Sequence, residues 1–176
     1  MERSQNATKV LIGALVLLVA VVAVVLIARS GGDDGSSSGS ISTDTSKKPA
    51  IPVPSAAPPT GLESHDIVEG DGPTAETGDR VEVQYVGVDY STGEQFDASW
   101  DNGQPFKFQL GGGQVIPGWD QGVTGMKVGG RRELIVPPDL AYGAQGSPPA
   151  IGPDATLIFV IDLLDVKSGG SAQPNG

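Results

Sequence analysis

The chain contains no cysteine and only one histidine, His65. Without cysteine there is no disulfide framework, no zinc ribbon and no thiol nucleophile. A single histidine cannot build a histidine-rich metal site, and nothing near His65 in sequence completes a Ser–His triad. Basic residues are scarce as well: 11 Lys and Arg stand against 21 Asp and Glu, a formal net charge of −10. Binding a phosphate backbone needs clustered Lys and Arg, so this balance argues against a nucleic-acid partner. No serine sits in a G-x-S-x-G setting. The glycine-rich LGGGQV, 110–115, lacks the lysine of a P-loop. Asp97 and Asp101 lie four apart, but no calcium-loop pattern surrounds them. The residues therefore indicate no metal and no cofactor.

Glycine and proline, by contrast, are abundant, at 26 and 14 of 176 residues, enough to predict at least one disordered segment. The chain divides accordingly. Residues 1–9 form a short N-terminus. Val10 to Ala28 is a run of 19 residues without a charge or strongly polar group. As a helix it would span about 28 Å, close to a hydrocarbon core of roughly 30 Å. Two readings stand for 10–28. Its length and the poor cleavage site at Ala28-Arg29-Ser30 favour an uncleaved anchor; the other reading is a signal peptide, removed on export. Arg3 and Lys9 on the near side, against Asp33 and Asp34 beyond, leave the N-terminus in the cytoplasm and the remainder extracytoplasmic. Under the second reading the protein is secreted. Residues 29–60 are rich first in Gly and Ser, then in Pro. They read as a disordered linker that holds a domain away from a membrane.

Residues 61–167 form the folded part, expected to fold alone, and 168–176 a disordered tail. The folded part carries 6 Lys and Arg against 17 Asp and Glu. DRVEVQYVGVDY alternates, with Val81, Val83, Tyr85 and Gly87 on one face. PFKFQL alternates Phe106, Phe108 and Leu110. RRELIVP and ATLIFVIDLLDV are β-branched and apolar, and Gly-rich or Pro-rich turns bound each run. PGWDQGVTGM is the one helical candidate, with Pro117 suited to a first turn and Gly125 to an end. The fold class is therefore α+β: an antiparallel sheet packed on one short helix.

The remaining chemistry is aromatic. The folded part holds Tyr85, Tyr90, Phe96, Trp100, Phe106, Phe108, Trp119, Tyr142 and Phe159. Core packing accounts for any one of them taken singly. Two neighbourhoods point further: Asp97 directly follows Phe96, and Tyr142 opens a long turn-rich loop that feeds the strand of Phe159.

VQYVG, FDAS, PFKFQLGGGQVIPGWDQGVTGMKVGGRRELIVPPDLAYG and ATLIFVIDLL together resemble the FKBP family, the FK506-binding type of peptidyl-prolyl cis-trans isomerase, collinearly over about residues 62–166. The resemblance implies a twisted antiparallel sheet wrapped around a short helix, with an apolar pocket between them. It places Trp119 at the pocket floor. The walls would come from Tyr85, Phe96, Phe106, Val115, Ile116, Tyr142, Ile151 and Phe159, with Asp97 as the buried polar group at the rim. It further implies that the Ile116 N–H and the Tyr142 hydroxyl anchor substrate carbonyls. Two positions depart from the family's small members: Asn102 stands in place of an arginine, and Ser147 in place of a histidine. The function implied is isomerisation of X–Pro bonds, assisting the folding of exported proteins. A proline-peptide binding module with little turnover is the alternative. The partners implied are proline-containing polypeptides, with tacrolimus or rapamycin as inhibitors, and the protein is expected to be a monomer.

Overall fold

The computed structural model describes residues 39–169. The apolar run 10–28, residues 1–9, the first part of the expected linker and residues 170–176 of the expected tail lie outside them. Among the described residues no helix is long and apolar enough to cross a membrane.

Six strands form one antiparallel sheet: β1 (Glu63–Val68), β2 (Arg80–Asp89), β3 (Gln95–Ala98), β4 (Phe106–Gln109), β5 (Arg131–Val136) and β6 (Leu157–Lys167). Their order is β1-β5-β6-β2-β3, and β4 also pairs with β2. The four runs expected as strands are β2, β4, β5 and β6. β1 and β3 carry no comparable signal. ESHDIV is mostly exposed and polar, and QFDA spans only 4 residues, so neither offers an alternation long enough to read.

Helix α2 (Pro117–Val123) is the expected two-turn helix, with Pro117 in its first turn. It ends at Val123, short of Gly125. A Cβ on Gly122 would come within 2.6 Å of the Leu134 side chain, and one on Gly118 would meet Val136. Both glycines therefore let the helix backbone lie directly on β5. A second short helix, α1 (Ser99–Asn102), was not expected. At one turn it is too short to show a helical period.

The alternation in β2 sorts the sheet into two faces. Val81 and Val83 join Trp119, Leu134, Leu157, Phe159, Ile161 and Leu163 in the core beneath α2. Val86, Val88 and Tyr90 join Ile135 and Ile158 on the other face. In β6 the first seven residues, Leu157–Leu163, are all buried. A strand buried on both sides needs a cover on both sides, and α2 supplies only one.

Residues 41–57 supply the other. Ile41 is buried and Ile51 packs against the second cluster. Arg131, which is 0% exposed, pairs across the sheet with Asp162. Its guanidinium donates to Asp162 at 2.5 and 2.8 Å and to the carbonyls of Ser42, Asp44 and Lys47 at 2.7, 3.1 and 2.9 Å. A guanidinium has five N–H donors, and here all five have an acceptor.

Within the expected linker 29–60, described residues thus make specific contacts with the sheet. The composition of 39–60 shows too little apolar surface to support its own fold. Composition does not register backbone carbonyls that complete the hydrogen bonding of a buried cation supplied by another part of the chain.

A fragment of residues 61–167 should accordingly be less stable than one of residues 39–169. Losing residues 41–57 leaves three Arg131 donors without protein acceptors and uncovers an apolar face. Together these amount to about 2–4 kcal/mol. Urea denaturation of both fragments should show a midpoint lower by about 1 M or more for the shorter one; equal midpoints would mean that the segment lies on the sheet without supporting it.

Candidate active site

The site is built where β2 changes partner. On one edge β2 pairs with β4 over Arg80–Val83 and with β3 over Val86–Val88. Gln84 and Tyr85 fall in the gap between those two partners. The free Tyr85 N–H there donates to Ser99 Oγ at 2.8 Å, and Ser99 Oγ in turn donates to Gln84 Oε1. Helix α1 thus completes the edge of β2 with a side chain where no strand reaches. Sequence reasoning missed Ser99, and nothing in the sequence pattern signals a side chain that substitutes for a strand.

The Tyr85 side chain projects into the core face and meets Trp119 edge-on, with ring centroids 5.0 Å apart and planes at 82°. Trp119 also contacts Phe159 and Phe106 edge-on at 5.3 and 6.2 Å, and Phe108 in a tilted arrangement at 5.7 Å. Edge-to-face contact is the arrangement that ring quadrupoles favour. Phe108 stacks on Phe106. It belongs to the floor, although the resemblance did not assign it to the site. Phe96, on β3, meets Phe159 at 5.5 Å and 84°. A Cβ on Gly87 would lie 2.6 Å from the Phe96 ring and 2.9 Å from Phe159. The glycine in the middle of an apolar strand therefore marks where two aromatic rings close over the backbone.

Val115 and Ile116 lead into α2 and pack, half-buried, on the same core. Ile116 is the N-cap residue, in an extended conformation. Its carbonyl accepts the Trp119 N–H at 2.9 Å, which ties the start of the helix to the floor. Ile151 is buried and paired with Ser147 through two backbone hydrogen bonds of 2.9 and 3.0 Å. These close the long loop over the core edge. Tyr142, 40% exposed, lies between two short 3-10 turns of that loop.

Asp97 is the polar group of the site. Its Oδ2 accepts the Tyr85 hydroxyl at 2.5 Å. Burial, and then the Asp97 carboxylate, push the Tyr85 hydroxyl far above its ordinary pKa of 10.0. Burial and the same carboxylate also raise Tyr142. Both phenols are thereby kept protonated. Asn102 does not engage Asp97; its amide lies 3.4 Å from the Ala98 carbonyl. Among the described residues no cation pairs with Asp97, and no group of His, Cys, Asp and Glu could hold a metal ion. The unassigned polar atom here is Trp119 Nε1, buried without a hydrogen-bond partner.

Nine of the ten residues singled out from the sequence lie together. Tyr85, Phe96, Phe106, Val115, Ile116, Trp119, Ile151 and Phe159 belong to a single apolar cluster. Asp97 joins through Tyr85, while Tyr142 lies on the loop beside them without a contact to the cluster. The arrangement is an apolar, aromatic cluster with the Tyr85 hydroxyl and one carboxylate at its margin.

Comparison with known proteins places this arrangement in a family. Residues 72–164 match FKBP-type peptidyl-prolyl cis-trans isomerase. The chain is 60% identical over 121 residues to an FK506-binding protein of Streptomyces anulatus, covering 68% of this chain and 98% of that one. It is 50% identical over 118 residues to a probable FK506-binding protein of Corynebacterium glutamicum, covering 67% and 98%. Among solved structures, AtFKBP13 superposes with a TM-score of 0.57 at 39% identity, covering 62% of this chain and 96% of that one. FkpA from Escherichia coli superposes with a TM-score of 0.58 at 39% identity, where this chain spans 71% of its own length and 55% of FkpA. The chain belongs to the FKBP-type peptidyl-prolyl cis-trans isomerase family.

Proposed function

We propose that the hollow over Trp119 is the isomerase site, and that proline enters it between Tyr85, Phe96, Phe106 and Phe159. The observation that carries this reading is the set of edge-on rings around Trp119, with a single carboxylate held by Tyr85 at their margin.

Rotation about an X–Pro bond is opposed by amide resonance, a barrier of about 18–20 kcal/mol. In the planar ground state the amide is charge-separated and well solvated by water. At the twisted transition state conjugation is lost and that polarity falls. An apolar slot withdraws the solvation that favours the planar form and fits the twisted one, so it binds the transition state better than the ground state. No acid, base, metal or cofactor is needed for this step.

In this reading the Ile116 N–H and the Tyr142 hydroxyl donate to substrate carbonyls on either side of the rotating bond. Val115 and Ile151 complete the apolar wall. Asp97, with Oδ2 occupied by Tyr85, presents its other oxygen and its charge to the carbonyl carbon of the twisting amide. Proline-containing polypeptides are the substrates, and tacrolimus and rapamycin are ligands of the same hollow. The protein acts as a monomer. Residues 10–28 tether it to the cell membrane, with the N-terminus cytoplasmic and the isomerase outside, where its substrates are exported chains. N-terminal sequencing of the mature protein from fractionated cells tests the tether. The expected outcome is an intact N-terminus in the membrane fraction; a soluble protein beginning after Ala28 would make 10–28 a signal peptide.

Three substitutions test the site. Phe96→Ala should remove a wall, admit water and lower kcat/KM on a proline tetrapeptide by about a hundredfold, with stability loss of about 3–5 kcal/mol. Tyr142→Phe deletes one hydrogen bond of about 0.5–1.5 kcal/mol and should cost tenfold or less. Asp97→Leu should lower turnover while stability holds or rises. Tacrolimus binding by calorimetry should weaken in step with Phe96→Ala. Full activity in all three folded variants would remove the site. Retained tacrolimus binding in a wild-type protein without turnover would make it a binding module.

The two tyrosines fix the pH behaviour. Both hydroxyls have pKa values raised above the ordinary 10.0, so both remain donors up to and beyond that pH. The profile of kcat/KM should therefore be flat from about pH 6 to 9. A fall centred between about pH 7 and 9 would show that one of these hydroxyls ionises early and is not held as described.

A further inference from the structure

Residues 41–57 do more than cover the back of the sheet. They reach the segment that carries Asp97. Arg131 fixes 42–47 by three carbonyl contacts, and the next residue, Lys48, extends to Asp101. Lys48 Nζ lies 2.6 and 2.9 Å from the two carboxylate oxygens of Asp101. Oδ2 of Asp101 also accepts the Gln95 amide at 2.8 Å.

Gln95 opens β3 and Asp101 lies in α1, so this bond closes a short loop from 95 to 101. Asp97 stands inside that loop. Ser99, in the same loop, holds the Tyr85 N–H, and Tyr85 in turn donates to Asp97. On the outer side Trp100 packs with Ile51 against the second apolar cluster. The loop is therefore held from the site side by Tyr85 and from the back by Lys48 and Ile51.

We propose that Lys48 is a positioning residue for catalysis. Through Asp101 and Gln95 it holds residues 95–101 so that Asp97 keeps its place beside Tyr85. The segment N-terminal to the family's matched region is then a working part of the isomerase. The proposal rests on the reading that Asp97 lies in the catalytic hollow.

Lys48 and Asp101 are partly exposed, with side-chain exposures of 36% and 52%. Surface pairs of this kind contribute little to global stability, so removing one should leave the fold intact and isolate the positioning effect. The experiment uses the full chain and compares wild type with Lys48→Ala, Lys48→Arg, the exchange Lys48→Asp/Asp101→Lys, and Asp97→Asn. For each, kcat and KM on a proline tetrapeptide are read beside the melting temperature and amide hydrogen exchange of residues 95–103.

Lys48→Ala should lower kcat about two- to fivefold, with KM unchanged within about twofold and a melting temperature within about 2 °C of wild type. Exchange across 95–103 should quicken. Lys48→Arg should keep at least half of the wild-type kcat, and the charge exchange should recover at least half of what Lys48→Ala loses. An unchanged kcat in Lys48→Ala, or a loss that neither Lys48→Arg nor the exchange relieves, would overturn the proposal. If Asp97→Asn keeps full turnover, the catalytic placement of Asp97 has failed instead. The exchange rates then still decide whether Lys48 orders the loop, and unaltered rates in Lys48→Ala would overturn that as well.

Discussion

The burial of Trp119 is the contact on which the rest of the domain depends. One indole, 4% exposed, touches Tyr85 from β2, Phe106 and Phe108 from β4, and Phe159 from β6. It sits in the first turn of α2, which packs on that face. The same packing therefore joins helix to sheet and underlies the candidate site. This economy has a structural cost: the Nε1 donor is left without a partner. The ring contacts that bury the indole on every side bring no polar group within reach of that donor.

The second face obeys a different rule. Its central feature is a buried ion pair, Arg131 with Asp162, and such a pair is tolerable only when every donor and acceptor is matched. Asp162 meets two of the five guanidinium donors, and the carbonyls of residues 42–47 meet the other three. The order of that segment thus follows from the needs of the cation rather than from its own propensity. Because Lys48 lies one residue past the clamp, the electrostatics of the back face connect to the loop that carries the carboxylate of the front.

Much of the front face was legible in the sequence. The β2 alternation, the β-branched β5 and β6, and Pro117 ahead of Trp119 each carry a local signal that tertiary packing did not override. The candidate site could be proposed from the sequence because its residues belong to one long, collinear motif. Other features had no such signal. β3 is too short for a period, α1 is a single turn, and Ser99 stands in for a missing strand. Phe108 reads as one more alternating core residue until its ring is seen against Trp119. The unbroken apolar run of β6 did carry a clue, since a strand buried on both faces demands two covers.

What the sequence by itself determined is the chemistry available: no thiol, no metal cluster of histidines, a dominant negative charge, and aromatic residues spaced on strands and at one helix start. Those follow from residue types and periodicity, which are local properties. Tertiary structure alone decided which rings face one another, that Tyr85 holds Asp97, and that Asn102 turns to the Ala98 carbonyl. It also decided that residues 41–57 lie against the sheet. The reason is physical: the Tyr85–Asp97 hydrogen bond, the hydrogen bonds to a buried guanidinium and the edge-to-face ring contacts join residues 12 to 89 positions apart, and no local pattern encodes a partner at that distance.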